Sequence, residues 1–254
     1  MGGDLFSLVG VCKSYRRGAR RLRVLVDISL EVGAGEIVAV VGSRDEGKTT
    51  LMQIAAGLQT PDEGEVWLDD VELTRCSNLE REELWGQQVA WIHREGTGLG
   101  FQMLEYVSLP LVLGRRYGKR EAERAAMEAL ELVGAPDCAG LLWKELSNWE
   151  RVLVAFARGI VHKPRLLIVD DVIDGFGMSS TRQASELLLS FVQGLGCGVL
   201  MSASDREAAM VAERVWSFDR GRLNLVFGKV GPEAEVIALH DQARRPRGAR
   251  GAGS

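Results

Sequence analysis

The sequence predicts an α/β fold with a parallel-sheet core, an N-terminal antiparallel β subdomain and an inserted helical subdomain. Three observations carry that prediction. Short apolar strands alternate with helical patterns along most of the chain, as an α/β domain requires. One of these strands runs into a glycine-bounded loop and then a helix, the layout of a phosphate-binding loop. Between about 95 and 160 the strand signal gives way to helical periodicity.

In chain order, LFSLVGV, VLVDISLEV, EIVAVVG and EVWLDD read as strands, with the turn signals GAGE and TPDEGE between them. In KREAERAAMEALELVG, Ala122, Ala125, Ala126, Ala129, Leu130 and Val133 recur at helical spacing and form one apolar stripe. LSNWERVLVAFAR opens a further helix. Ser147 is a good N-cap there, and Glu150 three residues later completes a capping box. The first turn of this helix holds Asn148 and Trp149, although a helix N-terminus that docks an anion favours small residues. Strands return with RLLIVD, CGVLMSAS, RVWSFDRG and RLNLVFG. One domain is therefore expected over 1–230, with the helical subdomain at about 95–160. Residues 231–254 are aperiodic and rich in Arg, Gly and Ala, and are expected to form a disordered basic tail.

With 46% hydrophobic residues, 254 positions can bury a sizeable core. A net charge of -4 exerts no overall pull toward nucleic acid, and none is expected as a partner. Cys12, Cys76, Cys138 and Cys197 lie far apart with no C-x-x-C pair. They read as reduced thiols of a cytoplasmic protein, not as a disulfide frame or a zinc site. No apolar run reaches the roughly 18 residues that span a bilayer, and MGGDLFSLVG carries no signal-peptide pattern. Any work at a membrane is expected to go through a partner.

The loop GSRDEGKTT fits G-x-x-x-x-G-K-[ST] from Gly42 to Thr49. Backbone N–H groups along Gly42, Ser43, Arg44, Asp45, Glu46 and Gly47, and at the helix start through Thr50, would point at phosphates. Lys48 would supply a point charge to the β- and γ-phosphates, and the Thr49 hydroxyl would hold Mg²⁺. The second half of such a site is an acid at the end of another apolar strand. RLLIVD ends on Asp170, which would hold Mg²⁺ through water, and Asp171 follows it.

Over roughly residues 5–228 these landmarks resemble the ATP-binding subunit of an ABC transporter. They are Tyr15, the loop at 42–50, EYVSLPL at 105–111, LSNWERVLVAFAR, PRLLIVDD and ASDREAAMVAERVWSFDRGRL. The spacing is most similar to the lipoprotein-releasing and macrolide-exporter branch, whose partners are FtsX-like permeases. The resemblance implies ATP and Mg²⁺ as cofactors and a second ATP-binding subunit, in a homodimer or a heterodimer. Each nucleotide would lie between one subunit's phosphate loop and the other's signature helix. It also implies a peripheral place on the inner face of the cell membrane, through the permease. Tyr15 matches the aromatic that stacks on adenine, with a half-buried strand tyrosine as the alternative. Ser147 and LSNWE occupy the signature position, without the family's two glycines.

The chain departs from the family around the γ-phosphate. Arg94 stands where a glutamine senses magnesium and water, and a guanidinium neither ligates a cation nor accepts a proton. Asp171 stands where the catalytic glutamate is expected, one methylene short, and Ser204 takes the switch-histidine position. Asp45, beside Glu46, replaces the loop's middle glycine, offset by Arg44 alone. Gly177 replaces an aspartate that crosses the dimer interface, and Asp174 comes three residues too early. The expectation is an ATP-binding subunit that drives a permease with weakened ATPase activity. The alternative is a catalytically inactive ATP-binding regulatory or assembly protein.

Overall fold

The structure is a computed structural model that describes residues 5–18, 20–93, 100–114, 117–173, 175–204 and 208–228. Arg94, Asp174 and the expected tail at 231–254 lie outside the described residues.

The chain opens with β1 (Phe6–Arg17), β2 (Arg20–Val32) and β3 (Ile37–Val41), followed by α1 (Lys48–Ala55). Next come β4 (Glu63–Leu68), β5 (Val71–Glu72), α2 (Asn78–Gln88) and β6 (Val89–His93). The helical stretch holds α3 (Met103–Leu113), α4 (Lys119–Leu132) and α5 (Asn148–Ile160). The chain then forms β7 (Leu166–Asp170), α6 (Met178–Leu195), β8 (Gly198–Ala203), β9 (Arg214–Asp219) and β10 (Arg222–Phe227).

Two sheets result. A four-stranded antiparallel sheet has the order β2-β1-β4-β5, and a six-stranded sheet has the order β10-β9-β3-β8-β7-β6. The larger sheet is parallel from β9 through to β6 and carries β10 antiparallel at its edge. Its central strands β3, β8 and β7 are buried at every position and almost wholly apolar because both faces are covered. In β3, Ile37, Ala39 and Val41 point into the core shared with α3 to α6, while Val38 and Val40 point into the core shared with α1 and the smaller sheet. This is the period-two alternation of a strand, read on two apolar sides.

The predicted stripe on α4 is buried where it should be. Ala122, Ala126 and Leu130 are fully enclosed, and Ala129 and Val133 are nearly so. Helix α5 lies against β6 closely enough that a Cβ on Gly159 would come within 2.5 Å of Ile92 Cδ1. Only glycine allows that approach. Its neighbour Phe156 meets Phe191 of α6 with ring centroids 5.7 Å apart. Among the described residues, no helix is long and apolar enough to cross a membrane.

Candidate functional site

The buried strand β3 delivers the chain to a loop whose backbone is bent by two left-handed residues, Asp45 (φ 64°) and Gly47 (φ 113°). Asp is among the few side chains that tolerate this region, so the missing glycine at 45 does not prevent the turn. Position 47 has no such latitude. A Cβ there would lie 2.6 Å from Val24 Cγ1 of β2 as well as carrying the strained φ. Helix α1 starts directly afterwards, so its free N–H groups face the mouth of the loop.

Lys48 is buried to 4% exposure, and its Nζ donates to the carbonyls of Gly42 at 2.7 Å and Ser43 at 3.0 Å. Glu46 turns back on the loop, its carboxylate accepting the Ser43 N–H at 2.8 Å. Of the two acids in the loop, Asp45 lines the adjoining cavity, and Glu46 braces the loop instead. The cavity holds about 480 Å³, within the range of small-ligand sites. Lys48, Thr49 and Thr50 of α1 line it, with Arg44, Asp45 and Gly47 of the loop, Val24 of β2, and Asp171.

Asp170 ends β7, a strand buried at all five positions, and is itself 7% exposed. Burial pushes its carboxyl above the ordinary carboxylate value; a hydrogen bond from Ser202 opposes this, Asp171 adds to it, and Thr49 and Lys48 oppose it. The next residue, Asp171, adopts a left-handed backbone (φ 49°) that turns the chain out of the strand. Ser202 of β8 meets both acids. Its Oγ accepts the Asp171 N–H at 2.9 Å and lies 2.9 Å from Asp170 Oδ1 and 3.0 Å from Asp171 Oδ1. The sequence reading missed Ser202. The signal it offered was a hydroxyl inside a strand otherwise apolar on both faces.

Of the remaining predicted residues, Ser204 and Tyr15 border this centre. The Gly42 N–H donates to the Ala203 carbonyl at 3.3 Å, which places the exposed Ser204, next in the chain, near the base of the loop. His93 pairs in register with Asp170, so β6 ends level with that buried acid. Tyr15 is 36% exposed, and its hydroxyl donates to Gln59 Oε1 at 2.6 Å and lies 3.5 Å from Thr50 Oγ1. It therefore stands beside α1 at the edge of the cavity.

Ser147 caps α5 as expected, accepting the Glu150 N–H at 3.2 Å while Glu150 accepts the Ser147 N–H at 2.7 Å. This N-terminus is not part of the cavity lining. Trp149 is accounted for by packing: its ring meets Phe176 edge-on at 5.7 Å, in the segment that follows Asp171. Gly177 then caps α6. Among the described residues there is no cluster of His, Cys, Asp and Glu with metal-site spacing, but Asp170 and Thr49 bring two oxygen donors together.

The profile of the family described as ABC transporter matches residues 25–174. Two similar solved structures are a dimeric post-hydrolysis state of the ATP-binding cassette MJ0796 bound to ADP and Pi, and a dimeric structure of MJ0796, a bacterial ABC transporter cassette. Each is 24% identical with a TM-score of 0.80, over 86% of this chain and 96% of theirs. At that identity the likeness shows the fold, a mixed α/β cassette with a parallel core and an antiparallel β subdomain.

Proposed function

Because the chain belongs to the ABC transporter family, we propose that it is an ATP-binding subunit that couples nucleotide to a membrane permease with weak hydrolysis of its own. One observation carries this reading: Lys48, Thr49 and Asp171 line a single cavity, and the buried Asp170 interacts with both Thr49 and Lys48. The loop and α1 would hold the phosphates through N–H groups and the Lys48 charge. Thr49 and Asp170 suit Mg²⁺, since both offer hard oxygens and a carboxylate pushed up by burial gains from a cation. When bound, that ion would neutralise charge on the β- and γ-phosphates.

The weak hydrolysis follows from what these residues cannot do. Asp171 is one methylene shorter than the glutamate of the family pattern, and a misplacement of about 1 Å can cost on the order of 10²-fold. The Ser204 hydroxyl lacks the charge and reach of an imidazole, and Arg94 cannot accept a proton from water. A second ATP-binding subunit would complete each site, and Trp149, held on Phe176, makes this chain a poor signature donor to it. We assign the partner to the FtsX-like permeases of the lipoprotein-releasing and macrolide-exporter branch, which places the chain at the cytoplasmic face of the membrane. The same Trp149 contact favours a second reading, an ATP-binding regulatory or assembly protein without turnover.

Steady-state phosphate release tests both. The purified chain should hydrolyse ATP slowly, and Asp171→Glu alone should not restore it. Asp171→Glu, Ser204→His and Arg94→Gln together should raise it well beyond any single change, since positioned acid–base groups contribute roughly 10²–10⁴-fold. Wild-type turnover at the roughly 1–10³ s⁻¹ of ordinary enzymes would refute the weakened-ATPase reading. Complete absence of turnover, with and without permease-containing membranes, favours the regulatory protein.

A further inference from the structure

Ser202 sits near the end of β8, a strand buried at all six positions, and is itself fully enclosed. A hydroxyl carries one proton and two lone pairs. Here the oxygen accepts the Asp171 N–H and stands within 3.0 Å of one oxygen from each of two carboxylates. It can donate to only one of them at a time. Asp170 has other partners, a hydrogen bond with the Thr49 side chain and the charge of the Lys48 ammonium. For Asp171, the N–H and Oδ1 both meet the same Ser202 oxygen. The carboxylate is thereby folded back toward its own backbone, which the left-handed φ of 49° presents to β8.

We infer that Ser202 is a latch on Asp171: a positioning residue that holds the cavity's acid down against β8 and keeps it from orienting an attacking water. The inference rests on the nucleotide-binding reading above and gives its weak turnover a second cause besides side-chain length. It also gives the latch a direction. When Asp170 is satisfied by a cation, the single Ser202 proton is left to Asp171, so the latch is tightest in the loaded site. A glutamate at 171 would carry its carboxylate one methylene past Ser202, so the short acid and the serine act as a matched pair.

The test compares Ser202→Ala, which removes the hydroxyl, with Ser202→Thr, which keeps it, in the full chain. Ser202→Ala should raise kcat for ATP about tenfold, a fraction of the roughly 10²–10⁴ that a positioned base contributes, with KM changed by less than about threefold. Ser202→Thr should keep the wild-type kcat. In protein free of metal and nucleotide, the Asp171 amide should exchange slowly in the wild type and Ser202→Thr, and fast in Ser202→Ala. Should Ser202→Ala fail to fold, Ser202→Cys takes its place, because a thiol donates weakly, and its kcat should also rise. An unchanged or lower kcat in the variant that folds overturns the latch, whatever the exchange shows. Calorimetry with ATP and Mg²⁺ separates the two ideas. Normal binding with unchanged turnover overturns the latch alone, whereas a wild type that binds no ATP removes the nucleotide reading and the latch together.

Discussion

The Lys48 ammonium is enclosed at 4% exposure and holds two carbonyls of its own loop, Gly42 and Ser43. It can turn from these toward phosphate without leaving the loop, so the cost of presenting the charge is already met by the fold. Lys48→Ala should therefore cut ATP affinity by roughly 10–100-fold, the value of a charge-assisted hydrogen bond of about 1.5–3 kcal/mol. Its far-ultraviolet spectrum should match the wild type, because β3 is wholly apolar and buried and α1 is anchored by the buried Leu51, Met52, Ile54 and Ala55. Equal affinity in calorimetry would mean that Asp45, on the cavity wall, already repels the triphosphate. Lys48, Thr49 and Asp170 were legible in the sequence because each sits at a fixed offset from a glycine or a strand end. Ser202 was not. Its partners lie 31 and 32 residues away, and only the pairing of β7 with β8 brings them together. Spacing also could not show that Glu46 folds back onto Ser43 while Asp45 lines the cavity.

Elements were legible where burial left a plain apolar pattern in the sequence. The single stripe on α4 and the apolar runs of β3, β7 and β8, which are buried on both faces, could be read directly. Helix α6 was not read from the sequence: its buried Ala184, Leu188 and Phe191 lie at i, i+4 and i+7, but exposed apolar residues such as Leu189 blur that narrow stripe. Helix α5 is the informative case, since its N-cap was readable but the role of its first turn was not. Ser147 and Glu150 satisfy each other's backbone N–H groups, and Trp149 packs sideways onto Phe176. Ser147→Ala should lower stability by about 1 kcal/mol in urea titrations at pH 7, the usual value of an N-cap. ATP binding in cis should be unaffected, because the cap lies outside the cavity lining. The loss should also depend on pH. Hydrogen bonds from the Ser147 hydroxyl and then its backbone hold the Glu150 carboxyl below its ordinary value of 4.5. A depressed folded pKa contributes stability above the unfolded value and loses it as pH falls through the folded one. The gap between wild type and Ser147→Ala should therefore narrow below about pH 4.5. A gap that stays constant into strong acid would show that the serine acts without its glutamate.

At the scale of the molecule, the site depends on how the antiparallel sheet is held over the parallel one, because Val24 of β2 lines the same cavity as Lys48 and Asp171. The seam between the sheets is polar at one end. Arg214 of β9 grips Glu36, in the turn between β2 and β3, with two hydrogen bonds of 2.5 and 2.7 Å, and it also donates to the Glu31 carbonyl of β2 at 3.0 Å. Glu36 in turn accepts the Gly33 N–H at 2.8 Å, and the neighbouring Glu213 accepts the Ile37 N–H at 2.7 Å. The Arg214 and Glu36 side chains are only 11% and 20% exposed, so water screens this pair far less than a surface ion pair. Arg214→Met keeps the stem but leaves the Glu36 carboxylate with the Gly33 N–H and the Glu31 carbonyl without its donor. The expected cost is about 1.5–3 kcal/mol, the range for hydrogen bonds to charged groups. Arg214→Lys should recover little of it, because an ammonium cannot make the paired contact of a planar guanidinium. Adding Glu36→Gln to Arg214→Met should cost less than the two single changes summed, since the second removes a charge that the first left stranded. Urea titrations of the wild type and these four variants decide the matter. A cost below about 0.5 kcal/mol for Arg214→Met, or one abolished by 0.5 M salt, would place the pair among ordinary surface contacts. The sheets would then be held over the cavity by their apolar cores alone.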